Sequence, residues 1–413
     1  MKTLLREIQT ASADFTDSQI HTKSLSLSVV RFRNTIDYIL SRSLGKKKLH
    51  DLRLRDRNIL RLALYEVQWL NADLDEVSSF YPEIESHYGT EFRRAAAVNL
   101  DAVFEGMPPV NRLSLKHSHP TFLVKTLLDN LSQDETVQLL IANNQKRTYY
   151  IRPNKLYDDY DLVLDSLVDV KLKRDPDIPE VSRIVEGVGS VVRSSLFKDG
   201  RVLIQDKASI ITVDALNPQP GEKIWDACAA PGMKTQLIAE RLNGQGQIIA
   251  SDVYEDRVRA ASELSQHLNA SQIKWIHADA TKPVVHDADK ILIDAPCTAT
   301  GILQAYPSFK WRLNKETLFA LMTVQNKILD AILTDYRDKP GTEIVFSSCS
   351  ILPHEGESQI DSAMQRHNLE LLKPLDYGSL GYPNFDCSEM VQRLFPHKHA
   401  SSGFFIARLR IKH

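Results

Sequence analysis

Two of the four cysteines in this chain of 413 residues stand where chemistry concentrates. Cys297 lies in Asp294-Ala295-Pro296-Cys297-Thr298-Ala299-Thr300-Gly301, and Cys349 in Phe346-Ser347-Ser348-Cys349-Ser350; each run continues an apolar stretch that reads as a β-strand. A buried structural role is the ordinary one for a lone thiol. Two thiols at neighbouring strand ends, beside a crevice, favour nucleophilic catalysis through a thiolate. A second segment, Asp226-Ala227-Cys228-Ala229-Ala230-Pro231-Gly232-Met233-Lys234-Thr235, has small residues at 227, 229, 230 and 232, so a ligand can approach the backbone, and Pro231 stiffens the turn. It is neither a phosphate P-loop nor a dinucleotide fingerprint, because the required glycines are absent. Three aspartates, Asp252, Asp279 and Asp294, close the second, third and fourth expected strands. Singly, each would be a helix cap or turn former. Together they converge on one crevice and could bind ribose hydroxyls, an adenine amine and the positive end of a sulfonium cofactor.

These groups need a scaffold. From residue 221 onward, strand, turn and helix alternate, with strands expected over 223–227, 247–253, 273–277, 290–294 and 343–347. That rhythm predicts a parallel sheet with helices on both faces, which binds ligands at the carboxyl ends of its strands where the order reverses. Between 146 and 216, short β-rich runs at 148–151 and 182–185 alternate with a helical stretch at 157–167, as in a small α+β module. Near the N-terminus Leu25, Val29, Phe32, Ile36, Ile39 and Leu40 recur at helical spacing. Similar patterns over 59–70 and 92–104 predict an all-helical domain, ended by Pro108-Pro109, which cannot continue a helix. The chain is therefore divided into 1–108, all-α; 109–215, a linker and small α+β module; and 216–413, an α/β Rossmann-like domain.

Composition narrows the function classes. Hydrophobic residues make up 43% and charged residues 25%, with no apolar run long enough to span a bilayer and no signal-peptide pattern at the start. A cytoplasmic location is expected. The cysteines are too few and too widely spaced for a disulfide framework or a zinc site, so no metal is expected. A net charge of −2 argues against coating nucleic acid by bulk electrostatics. Locally, Arg42, Lys46, Lys47, Lys48, Arg53, Arg55 and Arg57 face only Asp51 and Asp56, enough to hold phosphates, although a solvated loop has the same composition.

The motifs resemble those of the RNA cytosine-5 methyltransferase family, which includes the Sun/Fmu and NOL/NOP2/Sun proteins. Besides the three segments above, the resemblance includes Gln205-Asp206 with Ser209, Tyr306-Pro307 with Lys310-Trp311-Arg312, His354-Glu355-Gly356-Glu357, and Gly403-Phe404-Phe405 with Ala407. Together these motifs cover about half the chain. Arg57-Asn58-Ile59-Leu60-Arg61-Leu62-Ala63-Leu64-Tyr65-Glu66 is similar, more weakly, to the NusB fold, which accompanies RNA-binding members. The resemblance implies S-adenosyl-L-methionine as cofactor, held by Cys228, Ala229, Ala230, Pro231, Gly232, Met233, Lys234, Asp252, Asp279 and Asp294, with Arg257 at the edge. It implies Cys349 as nucleophile, Cys297 as the group assisting product release, and Asp294 as the carboxyl that also holds the cytosine ring. RNA is the implied partner, ribosomal before transfer RNA. The chain departs from the family pattern at Met233 (commonly glycine), at Ser348 (commonly threonine), at Leu303-Gln304 (often two arginines), and at Asn99-Leu100-Asp101, a loose match to the helical-domain motif.

The chemistry agrees with two thiols. Carbon 5 of cytosine is a poor nucleophile until a thiolate adds to carbon 6 and makes an enamine; a second group then assists elimination. The base must also leave its stack, which favours unpaired RNA or a flipped nucleotide. Two rivals remain. An exocyclic-amine or protein methyltransferase shares the fold, but the turn after its fourth strand resembles Asp/Asn-Pro-Pro-Tyr rather than Asp-Ala-Pro-Cys. A non-catalytic ribosome-assembly factor is the other, and its decay would strike the cysteines first.

Overall fold

The computed structural model describes residues 25–412. They fall into two compact units, one of residues 25–145 with the segment Tyr306–Arg312, the other of 146–305 and 313–412.

In the helical unit, the apolar stripe predicted over 25–40 forms a helix at 25–31 and, after a break at Phe32, a second one at Arg33–Ser43. Ile36, Ile39 and Leu40 pack with Leu60 and Leu64 of the helix Leu54–Leu70 and with Ile84 and Phe92 of the helix Pro82–Ala96. Pro108-Pro109 does interrupt helix, yet Pro109 opens the next one, Pro109–Lys116, where a missing N–H costs nothing. Helices of the same unit then continue to Asn144. Asn99 caps the short helix Leu100–Val103, its side chain accepting from the N–H groups of Asp101 and Ala102. Much of the basic run is paired within this unit: Lys47 with Glu91, Arg53 with buried Asp56, and Arg55 with Glu83. The Tyr306–Arg312 segment belongs to it through Lys310, whose ammonium donates to the carbonyls of Arg31 and Ser118 and to Asn144 Oδ1 (3.2, 3.0 and 2.6 Å). Burial, with nearby Arg31, holds Lys310 well below the ordinary lysine range.

The other unit holds two sheets. The smaller comprises β1 (Tyr149–Pro153), β2 (Lys171–Arg174), β3 (Ser182–Glu186) and β4 (Val202–Ile204), all antiparallel in the order β2-β3-β1-β4. Residues 157–167, expected to be helical, instead form turns around a single 3₁₀ turn at Tyr160–Leu162. Asp158, Asp159, Asp161 and Asp165 compete there for backbone hydrogen bonds and favour turns over helix.

The larger sheet carries β5 (Lys223–Asp226), β6 (Gln247–Asp252), β7 (Ile273–His277), β8 (Lys290–Asp294) and β9 (Glu343–Ser348), all parallel. It is mixed rather than purely parallel, because β10 (Leu369–Leu371), β11 (Ser379–Leu380), β12 (Val391–Leu394) and β13 (Phe404–Ile411) add an antiparallel edge. The order β11-β12-β13-β9-β8-β5-β6-β7 reverses between β5 and β8. Alternate residues feed two cores: Ile224, Ile248, Leu292 and Val345 face one side with Ile211 and Leu237, while Trp225, Ile291, Ile293 and Phe346 face the other with Leu329 and Ile360. Among the described residues no helix is long and apolar enough to cross a membrane.

Candidate active site

The carboxyl ends of β5 and β8, where the strand order reverses, open into a cavity of about 240 Å³. Its walls include Cys228, Ala229, Ala230, Pro231, Met233 and Lys234 from the turn after β5, with Asp226 and Asp294 at the two strand ends. The turn is held by Ala229 N–H donating to the Ser251 carbonyl (2.9 Å) and Gly232 N–H to the Ala229 carbonyl (2.8 Å). Gly232 has φ +104°, and a Cβ there would also press on the Trp275 ring at 3.2 Å, so only glycine is accommodated without strain. Met233 opens the next helix, Met233–Leu242, and its carbonyl accepts from Gln205 Nε2 (3.1 Å).

Asp226, quoted in the turn motif but given no role from sequence, is buried at this cavity. Thr235 Oγ1 donates to its Oδ2 (2.7 Å), while Oδ1 has no partner. Burial, only partly offset by the Thr235 hydrogen bond, pushes this carboxyl up to about 7. A raised carboxyl contributes stability that is complete below about pH 4 and lost as the pH rises to about 7, since the unfolded chain ionises first. Asp226→Asn removes that dependence. The difference in unfolding free energy between wild type and Asp226→Asn is therefore expected to shift in the variant's favour by about 3–4 kcal/mol between pH 4 and 7, measured by denaturant titration without cofactor.

Asp294 sits between two donors. Lys234 Nζ donates to its Oδ2 at 2.7 Å and Ser347 Oγ to its Oδ1 at 2.8 Å. Burial alone would lower the Lys234 ammonium, but Asp294 and then Cys349 outweigh it and hold it above the usual lysine range. The two half-buried thiols meet, Cys297 Sγ lying 2.9 Å from Cys349 Sγ. The hydrogen bond to Cys349, together with burial, raises the Cys297 thiol well above its usual range.

The loops that carry the thiols are tied together below them. Glu355, buried, accepts from Thr298 N–H (2.8 Å), Thr298 Oγ1 (2.5 Å) and Gln325 Nε2 (3.0 Å), while its own carbonyl accepts from Ser348 Oγ (2.8 Å). Gly301 N–H donates to the Cys349 carbonyl (2.9 Å) and Gly403 N–H to the Gly301 carbonyl (2.8 Å). A Cβ on Gly301 would fall 1.8 Å from the Gly403 carbonyl, which explains glycine at both places. The Glu355 and Gly403 contacts went unseen in sequence, although both motifs were singled out; only their clustering near strand ends hinted at the site.

The remaining expected residues lie around this centre. Asp252, at the end of β6, is buried; it accepts from Ala230 N–H (3.3 Å) and Tyr254 N–H (3.2 Å) and pairs with Arg257 (3.1 Å). Burial, against the pull of Arg257, raises its carboxyl. Arg257 also donates to the Ala230 carbonyl, bracing the turn from behind. Asp279 is exposed two residues beyond β7, and its Oδ1 accepts from Thr281 N–H (2.9 Å). Neither Asp252, Arg257 nor Asp279 lines the cavity.

Comparison with known proteins places this geometry. Residues 213–410 match the model of the family described as 16S rRNA methyltransferase RsmB/F, and residues 5–78, partly outside the described residues, match the NusB family. The chain is 30% identical over 410 residues, covering 94% of itself and 90% of the relative, to the probable ribosomal RNA small subunit methyltransferase B of a Synechocystis species. It is 27% identical to the 28S rRNA (cytosine-C(5))-methyltransferase of Mus musculus, covering 72% of this chain and 39% of that one. Among solved structures, the methyltransferase homolog protein from Pyrococcus horikoshii superposes with a TM-score of 0.64 at 26% identity, covering 74% of this chain and all of that one. With the Synechocystis match running along nearly the whole of both chains and a thiol pair beyond the carboxyl ends of β8 and β9, the protein belongs to the 16S rRNA methyltransferase RsmB/F family and is an RNA cytosine-5 methyltransferase.

Proposed function

We propose that the protein methylates carbon 5 of a cytosine in ribosomal RNA by covalent addition of Cys349 to carbon 6, acting in the cytoplasm, with the helical and α+β parts (1–108 and 109–215) holding the RNA. The observation that carries this reading is the contact of Cys297 and Cys349 beside the Lys234–Asp294 pair. The cavity suits S-adenosylmethionine: small side chains line it, and the unpartnered Oδ1 of Asp226 offers an acceptor that a bound ligand would satisfy. Cys228 to Lys234, with Asp294, would hold that cofactor, and Asp252, Arg257 and Asp279 would shape its surroundings. When bound it supplies an electrophilic methyl group.

The protein's own residues do the rest. The hydrogen bond between the two sulfurs keeps Cys297 and Cys349 within reach of one base. The Cys349 thiolate forms the bond to carbon 6. Asp294, oriented by Lys234 and Ser347, stands to share a proton with the ring nitrogen and stabilise charge as addition proceeds. After methyl transfer, Cys297, its own proton having passed to solvent, accepts the carbon 5 proton as the Cys349–carbon 6 bond breaks with its electron pair returning to sulfur, which restores aromaticity.

Purified protein incubated with total RNA from a host lacking the gene, together with labelled S-adenosylmethionine, tests the reading. Label in 5-methylcytosine of small-subunit ribosomal RNA is the expected result. Binding of cofactor and RNA with no labelled cytosine in any RNA class would replace catalysis with an assembly role.

A further inference from the structure

A second cavity lies beside the first, and Tyr150 on β1 lines both. Its walls are unusual in charge: Lys173, Arg174, Arg183, Lys207 and Lys398 against only Asp175 and Asp177. Both carboxylates are already engaged by Lys207, whose Nζ lies 2.8 Å from Asp175 and 2.7 Å from Asp177. Lys173, Arg174 and Arg183 have no carboxylate within ion-pair distance among the described residues. Lys173 and Arg183 moreover stand directly opposite each other in the β2–β3 ladder. Like charges directly across an antiparallel pair destabilise a sheet. Such a pair, exposed and lining a cavity, is the arrangement expected where an anion completes the structure. Beside the cations, Tyr150 Oη donates to the Ala400 carbonyl (2.8 Å), and Lys207 lies over the Tyr377 ring (4.5 Å), so the aromatic walls are already held in place.

We propose that this cavity binds a backbone phosphate of the RNA strand that carries the target cytosine, with Lys173 and Arg183 as its principal contacts and Arg174 and Lys398 at its rim. The inference rests on the RNA-methylating reading above. An extended strand whose target base reaches the thiols beside the first cavity would pass Tyr150 and place a flanking phosphodiester here, fixing register without reading sequence.

Lys173→Glu tests it in the full-length protein, because the new carboxylate faces Arg183 and gains a cross-strand partner; thermal stability is expected to be retained or raised. Affinity for a fluorescent single-stranded RNA, titrated at several KCl concentrations, is expected to fall about tenfold, and the slope of log Kd against log salt by about 0.7 per lost phosphate contact. Binding of S-adenosylmethionine stays at the wild-type value. Unchanged RNA affinity and salt slope in Lys173→Glu overturn the proposal. So does a variant that loses only a thermal shift produced by inorganic phosphate, which marks a small-anion site instead. Because binding is read separately from methyl transfer, a wild-type protein that binds RNA in this salt-dependent way yet makes no 5-methylcytosine counts against the catalytic reading and leaves the phosphate site standing.

Discussion

Cys349→Ala is expected to lower methyl transfer by on the order of 10⁴-fold or more, because it removes the sulfur that adds to carbon 6 and later leaves. The loss should fall on kcat, with RNA and cofactor affinity close to wild type. Cys297→Ala is expected to behave differently, because addition still proceeds but the group that assists elimination is gone. Methylated RNA then remains attached through Cys349, visible as a complex that survives denaturing electrophoresis, and the double variant shows no such complex. The roles are those the resemblance implies, and the structure adds that the two sulfurs lie within 2.9 Å of each other. An adduct trapped by Cys349→Ala instead would reverse the two roles.

The second large effect concerns what holds the segment after Cys349. Arg393 and Glu357 form a fully buried pair, with Nε–Oε1 at 2.7 Å and Nη2–Oε2 at 2.5 Å. Arg393 also donates to the carbonyls of Ser350 (3.0 Å) and Leu352 (3.2 Å), and its guanidinium lies over the Tyr382 and Phe405 rings. Tyr382 Oη donates to the Ile351 carbonyl (2.8 Å), so three consecutive carbonyls beyond the nucleophile hang on this cluster. Gly356 leaves room for it, since a Cβ there would come within 2.7 Å of both the guanidinium and the Phe405 ring. Burying one member of a broken pair is costly. Glu357→Gln is expected to destabilise by about 3–5 kcal/mol, a fall of roughly 10 °C or more in Tm for a unit of this size. Replacing both partners, as in Glu357→Gln/Arg393→Met, should recover part of that loss in a double-mutant cycle, because no uncompensated buried charge remains. A single variant as stable as wild type would mean that the pair is not what supports the segment.

Much of the site was legible from local order. Strand ends at Asp252 and Asp294, the small-residue turn 227–232 and both thiols follow from short-range rules: alternation along a strand, the backbone demands of a turn, and the chemistry of each residue type. The start of the first strand at 223, the range 273–277 and both ends of the fourth were also correct to the residue, whereas Asp279, read as closing the third strand, lies two residues past it. These features are set by neighbours within a few positions, so a linear reading reaches them. The aspartate-rich stretch at 157–167 misled, because its apolar spacing suited a helix while its aspartates favoured turns.

What tertiary structure alone decided is how distant pieces neutralise and place one another. The sequence by itself determined that two thiols and several carboxylates would stand at strand ends. Only the strand order put β5 beside β8, brought sulfurs 52 residues apart to 2.9 Å, and left Asp226 with an unpartnered oxygen facing the cavity. The same holds for charge. The basic run 42–57 looked free, yet Lys47, Arg53 and Arg55 are paired inside the helical unit, whereas Lys173 and Arg183, inconspicuous in sequence, face one another across a ladder. Whether a charge is spent or available depends on partners and burial supplied by segments far along the chain, and no local pattern carries that information.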